Sequence, residues 1–216
     1  MKSLFYGILL SAAVAFNATA QDPQDINWPE LKMVQQQWAV VNYQLPKDNK
    51  ENAFESLIKQ AEKLTTQHQD RAEGHIWLGI VQSSMAGAKG GVGALKYAKA
   101  AKKHFEAAMR IDSHALQGSA MTSLGVLYHK LPGWPISFGS DKKAEQLLKK
   151  SLELNPTGID ANYFYAEFLY DDRQYSQAKE RLLIAKQAAP RPERPLADTG
   201  RQGEINELLQ KVESKL

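Results

Sequence analysis

From Ala53 to the end of the chain, apolar residues recur at spacings of three and four, separated by polar and charged positions. Phe54, Leu57, Ile58, Ala61 and Leu64 form one such series, and Ala178, Leu182 and Ala185 another. This is the period of an amphipathic helix with one stripe turned toward a neighbour. Alternating runs are nearly absent, and β-branched residues are sparse against Ala, Leu, Lys, Gln and Glu, so strands are not expected. Breaks rich in Gly, Pro, Asn and Asp stand near 46–49, 87–93, 111–114, 132–140, 155–158, 171–173 and 190–195. They divide the chain into antiparallel helix pairs at 29–44 with 51–67, 71–86 with 93–111, 114–130 with 141–154, and 159–171 with 175–189. A last helix over 199–216 caps the stack, and the prolines of Arg191 to Asp198 keep that stretch non-helical.

The pairs repeat. Counting from Ile159, Tyr165 and Ala166 stand at places 7 and 8, and Ala178, Leu182, Ala185 and Pro190 at 20, 24, 27 and 32. From Gly118, Leu124 and Gly125 take places 7 and 8, and seven extra residues then bring Ala144, Leu148 and Pro156 to 20, 24 and 32. From Ala72, Leu78 and Gly79 fall at 7 and 8, and ten extra residues bring Ala101, Phe105 and Ala108 to 20, 24 and 27. Small residues at 8 and 20 are required where two helices of a pair approach most closely, with the larger residues at 7 and 24 filling the space beside them. This spacing resembles the tetratricopeptide repeat, a unit of roughly 34 residues. The resemblance covers 72–113, 118–156 and 159–190, and implies an all-α fold, a right-handed αα superhelix with helical caps at both ends. The inserted Pro-Gly-Trp-Pro loop and the tail after Pro190 also resemble those of small exported bacterial members of this family.

Residues 1–20 read as a cleaved signal peptide: Lys2, an apolar stretch from Leu4 to Phe16, and Ala18-Thr19-Ala20 before Gln21. The stretch is shorter than a membrane span and is interrupted by Ser11. The mature chain, 21–216, is then a single domain in the periplasm. With no cysteine in 216 residues, disulfides, thiolate metal sites and a lipid-anchoring thiol are excluded. A formal charge of +3, with acids and bases interleaved along the helices, gives no basic face for nucleic acid.

No constellation for catalysis, cofactor or metal emerges. Lys89-Gly-Gly-Val-Gly93 resembles the phosphate loop KGGVGKT of ParA-like ATPases, but Ala94 and Leu95 replace the second lysine and the magnesium-binding hydroxyl. The segment before it is helical as well, so it reads as a flexible glycine-rich connection. The five histidines lack ligand spacing, and there is no G-x-S-x-G.

The candidate sites are therefore contacts. In the 131–139 loop, Trp134 is stiffened between Gly133 and Pro135, with Phe138 near by. Burial of aromatic area favours a lid folded over the helix pair. A pre-organised contact for a partner is the alternative. The family resemblance implies a groove lined by places 2, 5, 9, 12 and 13, which are Glu73, Ile76, Ile80, Ser83 and Ser84 in the first unit, Ser119, Thr122, Val126, His129 and Lys130 in the second, and Asp160, Tyr163, Glu167, Tyr170 and Asp171 in the last. That groove lacks the Lys and Asn set of carboxylate-clamping members; its acids and tyrosines suit a peptide or a basic segment. The tail arginines Arg191 and Arg194 can pair with the acids of the preceding helix or bind an anion, and docking of the tail onto its own repeat is the favoured account. The implied function is a non-catalytic protein-binding or scaffolding module. The alternative is a small-molecule-binding helper, resembling the helical T-component of tripartite periplasmic transporters, with its ligand in a cavity between repeats.

Overall fold

The structure, a computed structural model, describes residues 28–216; the signal-peptide segment 1–20 lies outside the described residues. Among the described residues the regular elements are all helices: α1 (Pro29–Tyr43), α2 (Lys47–Gln67), α3 (Ala72–Lys89), α4 (Gly91–Ile111), α5 (Ala115–Lys130), α6 (Asp141–Leu154), α7 (Ile159–Asp171), α8 (Tyr175–Lys186) and α9 (Pro195–Glu213). Each odd helix from α1 to α7 packs on the even helix that follows it, and α1, α3, α5 and α7 also touch in succession. The result is an all-α, tetratricopeptide-like solenoid with an inner row of odd helices and an outer row of even ones.

The two rows bury their residues differently. Outer helices bury a narrow stripe: Ala98, Ala101, Phe105 and Ala108 on α4, Ala144, Leu148 and Ser151 on α6, and Ala178, Leu182 and Ala185 on α8. Inner helices are covered nearly all round, α3 burying ten residues and α7 eight. An inner helix facing an open groove would keep one wet face, so something covers the inside of this solenoid. Over α7 and α1 the cover is α9, which packs on α8 and α7 and reaches back to α1, and over α3 it is the chain just before α9, where Arg194 lies on the Trp77 ring. Tyr43 of α1 lies against Gly200 of α9, where a Cβ would sit 2.4 Å from the ring, and its hydroxyl donates to Glu204 at 3.4 Å. Lys32 and Glu193 pair across the same junction at 3.4 Å. Burial pushes the Tyr43 hydroxyl up to about 12.

Close approach within pairs explains the small residues. A Cβ on Gly79 would fall 2.6 Å from the Phe105 ring, and one on Gly125 would fall 2.9 Å from Leu148. Several boundaries differ from expectation, among them the end of α8, at Lys186 rather than 189. Helix α2 starts at Lys47 rather than near 51, directly after Pro46. The glycine-rich connection shrinks to Gly90, at φ 64°, so Gly87 and Gly93 are inside helices. Finally, α9 begins at Pro195, because a proline at the first helical position loses no hydrogen bond and its φ already suits a helix. The first turn of α5 is irregular: Leu116, Gln117 and Gly118 follow one another with φ of 49°, 54° and 76°. A side chain at 118 would also meet Leu154 at 2.9 Å.

Candidate functional site

The concave side of the solenoid, bounded by the tail and α9, holds a partly open cavity of about 460 Å³. Its apolar wall includes Trp38, Trp77, Ile80, Val126 and Phe164, while Ser83, Ser84, Ser119 and Thr122 add hydroxyls from α3 and α5. Trp38 is fixed there by donating its indole N–H to Ser84 Oγ at 2.8 Å. The chain from Ala188 to Arg194 runs along the cavity's far side, bringing Arg191 and Arg194 to it, and α9 adds Arg201.

Charges hold this cover down. Arg191 donates to Asp160 at 2.6 Å and to Asp198 at 2.7 Å, and Arg201 Nε donates to the other Asp160 oxygen at 2.8 Å. Arg201 also pairs with Glu204, and its guanidinium lies 4.5 Å from the Tyr163 ring centroid and 4.4 Å from that of Phe164. Burial alone would raise the Asp160 carboxyl, but Arg191 and Arg201 outweigh it and hold the group far below the ordinary carboxylate range. Glu204 is raised, chiefly by burial.

The structure sorts the sequence-derived contact residues into three places. Asp160 and Tyr163 lie under the tail and α9; Tyr163 is buried, and its hydroxyl is pushed up by burial. At the other end of α7, His129 stands between Asp141 at 3.0 Å and Asp171 at 2.8 Å. Lys130 joins Glu167 at 3.2 Å and Asp171 at 3.1 Å. Burial would raise Asp171, but hydrogen bonds from His129 and Lys130 bring it below its usual range. Tyr170 lies beside Tyr175, with ring centroids 5.6 Å apart.

The third place is the 131–139 loop, where the lid expectation holds for one aromatic only. Phe138 packs edge-on against Tyr128 with centroids 5.5 Å apart, but Trp134 is 90% exposed and Ile136 65%. The physical reason is a tight turn: the N–H groups of Ile136 and Ser137 both donate to Gly133 O at 3.1 Å, which swings the tip outward.

Ile80, Ser83, Ser84, Ser119, Thr122 and Val126 line the cavity from the groove places of the first two units, but Trp77, Trp38 and Arg201 were not singled out from the sequence, because their convergence depends on how far the superhelix curls. For these the signal was the all-round apolar character of α3 and α7. His75 and His104 come within 3.0 Å through their Nδ1 atoms, and burial with the neighbouring His75 and Lys103 lowers His104 to about 4. Among the described residues, no group of three or more His, Asp or Glu side chains is placed to hold a metal ion, and no helix is long and apolar enough to cross a membrane.

No curated protein matches the chain in sequence. The solved structure of pilF from Pseudomonas aeruginosa is similar at 16% identity and a TM-score of 0.36, over 85% of this chain and 92% of that one. Residues 142–196, from α6 to the start of α9, match the tetratricopeptide repeat family, and the repeat spacing of the sequence and the paired helices of the fold are similar to that family's.

Proposed function

We propose that this protein is an exported, periplasmic, non-catalytic interaction module that meets a protein partner through the loop around Trp134. Tetratricopeptide repeats generally mediate protein interactions and are generally non-catalytic. The observation that carries the loop reading is the exposure of Trp134 and Ile136 side by side on a turn fixed by its own backbone hydrogen bonds. Exposed aromatic area on a rigid element loses little entropy on binding and is typical of binding hot spots. An extended peptide in the concave groove is disfavoured, because Asp160 and Tyr163 are already engaged by the tail and α9.

Trp134→Ala should leave thermal stability within about 0.5 kcal/mol of wild type, since so exposed a side chain contributes little to the core. It should abolish recovery of the partner when the mature protein is used for affinity capture from its own periplasm. Equal recovery by the folded variant would remove the loop from the interface. Fractionation of the native host should find the mature chain in the periplasmic extract, and a cytoplasmic location would overturn the export reading.

The second reading, a small-molecule-binding helper, is favoured by the cavity. Its volume falls in the range of ordinary ligand sites, about 300 to 1,000 Å³. Apolar walls with a few converging polar groups are the usual lining of such sites.

A further inference from the structure

The cation Arg194 stands apart from its neighbours at the cavity. Arg191 and Arg201 each share the Asp160 carboxylate, with Asp198 and Glu204 as further partners. Arg194 has no carboxylate at ion-pair distance among the described residues, and its Nε is buried without a hydrogen-bond partner. Its guanidinium sits 4.9 Å from the centroid of the Trp77 ring, and the Trp77 indole N–H is also buried and unpaired. Two orphaned donors on touching side chains are costly, about 1–3 kcal/mol each, unless something else accepts from them. Both residues line the cavity.

Other observations have the same sign. Burial, followed by the like charge of Arg191, lowers Arg194 to about 10, the behaviour of a cation short of an anion. The first turn of α7, from Gly158 to Ala161, also lines the cavity, and this helix end has no side-chain cap. Asp160 stands in that turn, but two guanidinium groups already hold its charge. Opposite lie Leu116 and Gln117, two non-glycine residues in the left-handed region, a conformation that tends to be kept at ligand sites.

We infer that the cavity is a binding site for an apolar monocarboxylate, whose carboxylate accepts hydrogen bonds from Arg194 and whose hydrocarbon or aromatic body lies against Ile80, Val126 and Phe164. This rests on the second reading above, that the cavity is a ligand site. An aliphatic or aryl acid of modest size satisfies both the volume and the unpaired Arg194; a dianion would face Asp160 without a second free guanidinium among the described residues of the lining.

Isothermal titration calorimetry of the mature chain with decanoate, 1-naphthaleneacetate and neutral 1-naphthaleneacetamide tests it. At least one carboxylate should bind saturably, and 1-naphthaleneacetate, if it does, more tightly than its amide. Arg194→Gln should weaken the carboxylate at least about tenfold, the effect of losing one charge-assisted hydrogen bond, and leave any binding of the amide unchanged. Ser123→Trp, which fills the cavity, should abolish binding of all three while far-UV circular dichroism shows the helices intact. Amide and carboxylate binding alike, with Arg194→Gln without effect, would overturn the carboxylate assignment and keep the ligand site. No saturable binding of any probe, or binding that survives Ser123→Trp, would overturn both. Should Arg194→Gln lose helix content, Arg194→Lys decides: it keeps the charge but loses the planar fork, so carboxylate affinity should fall and remain above that for the amide. Unaltered carboxylate affinity in that variant would overturn the assignment.

Discussion

Replacing Asp160 with Asn is expected to destabilise the chain by about 3–5 kcal/mol, because it removes the one carboxylate that two nearly buried guanidinium groups share. Arg201 and Arg191 would remain in place with their charges uncompensated, and the surviving pairs with Glu204 and Asp198 would not replace a bidentate partner between them. The loss should be spatially specific. Hydrogen exchange should quicken first in α9 and in 188–194, where Asp160 pins the cover, before it quickens in the α3 and α4 pair. The same pairing makes the fold acid-sensitive. The Asp160 carboxyl is depressed in the folded chain, so its contribution is complete above the unfolded value near 4 and is lost as pH falls below it. Asp160→Asn should therefore flatten the dependence of stability on pH between about 4 and 2 in urea titrations. A destabilisation under about 1 kcal/mol would mean that the cover is held by packing alone.

The second large effect lies at the closest approach of α3 and α4. Gly79→Val should cost about 2–4 kcal/mol, since any Cβ there enters the Phe105 ring, which is fully buried and has no room to retreat. Phe105→Ala should cost about 3–5 kcal/mol by leaving a cavity in the same place. The double variant should be more stable than the sum of the two losses predicts, by about 1 kcal/mol or more, because the valine occupies space that the ring has left. Additive losses in a denaturation cycle would show that the two positions do not share that volume.

Both predictions bear on what could be read before the fold was seen. The outer helices were plain: Ala178, Leu182 and Ala185 repeat with one narrow stripe because their other face meets water. The pairing was plain too, since Gly79 and Phe105 occupy places where small and large residues must alternate. The closure was not. Tyr43 and Glu204 are separated by 161 positions, and their meeting depends on small rotations accumulated over four helix pairs, which no local pattern encodes. For the same reason Tyr163 read as a groove residue by its place in the repeat, although Arg201 lies over it. Pro195 read as a helix breaker, but proline is compatible with a first turn, and the helix that covers the cavity starts on it. Trp134 failed differently: apolar area argued for burial, while the backbone of its own turn sends it outward.

The central claim is that α9 returns to α1 and closes the concave face. The chain has no cysteine, so Gln44→Cys/Gly203→Cys, at two exposed positions beside the Tyr43–Glu204 contact, can carry a pair of spin labels without further change. A Cβ at Gly203 meets nothing within 4 Å, so the label there is tolerated. Electron–electron distance measurement should give one short, narrow distribution, as for two labels on helices in contact. A broad or long distribution would mean that the solenoid stands open, and the covered cavity would go with it.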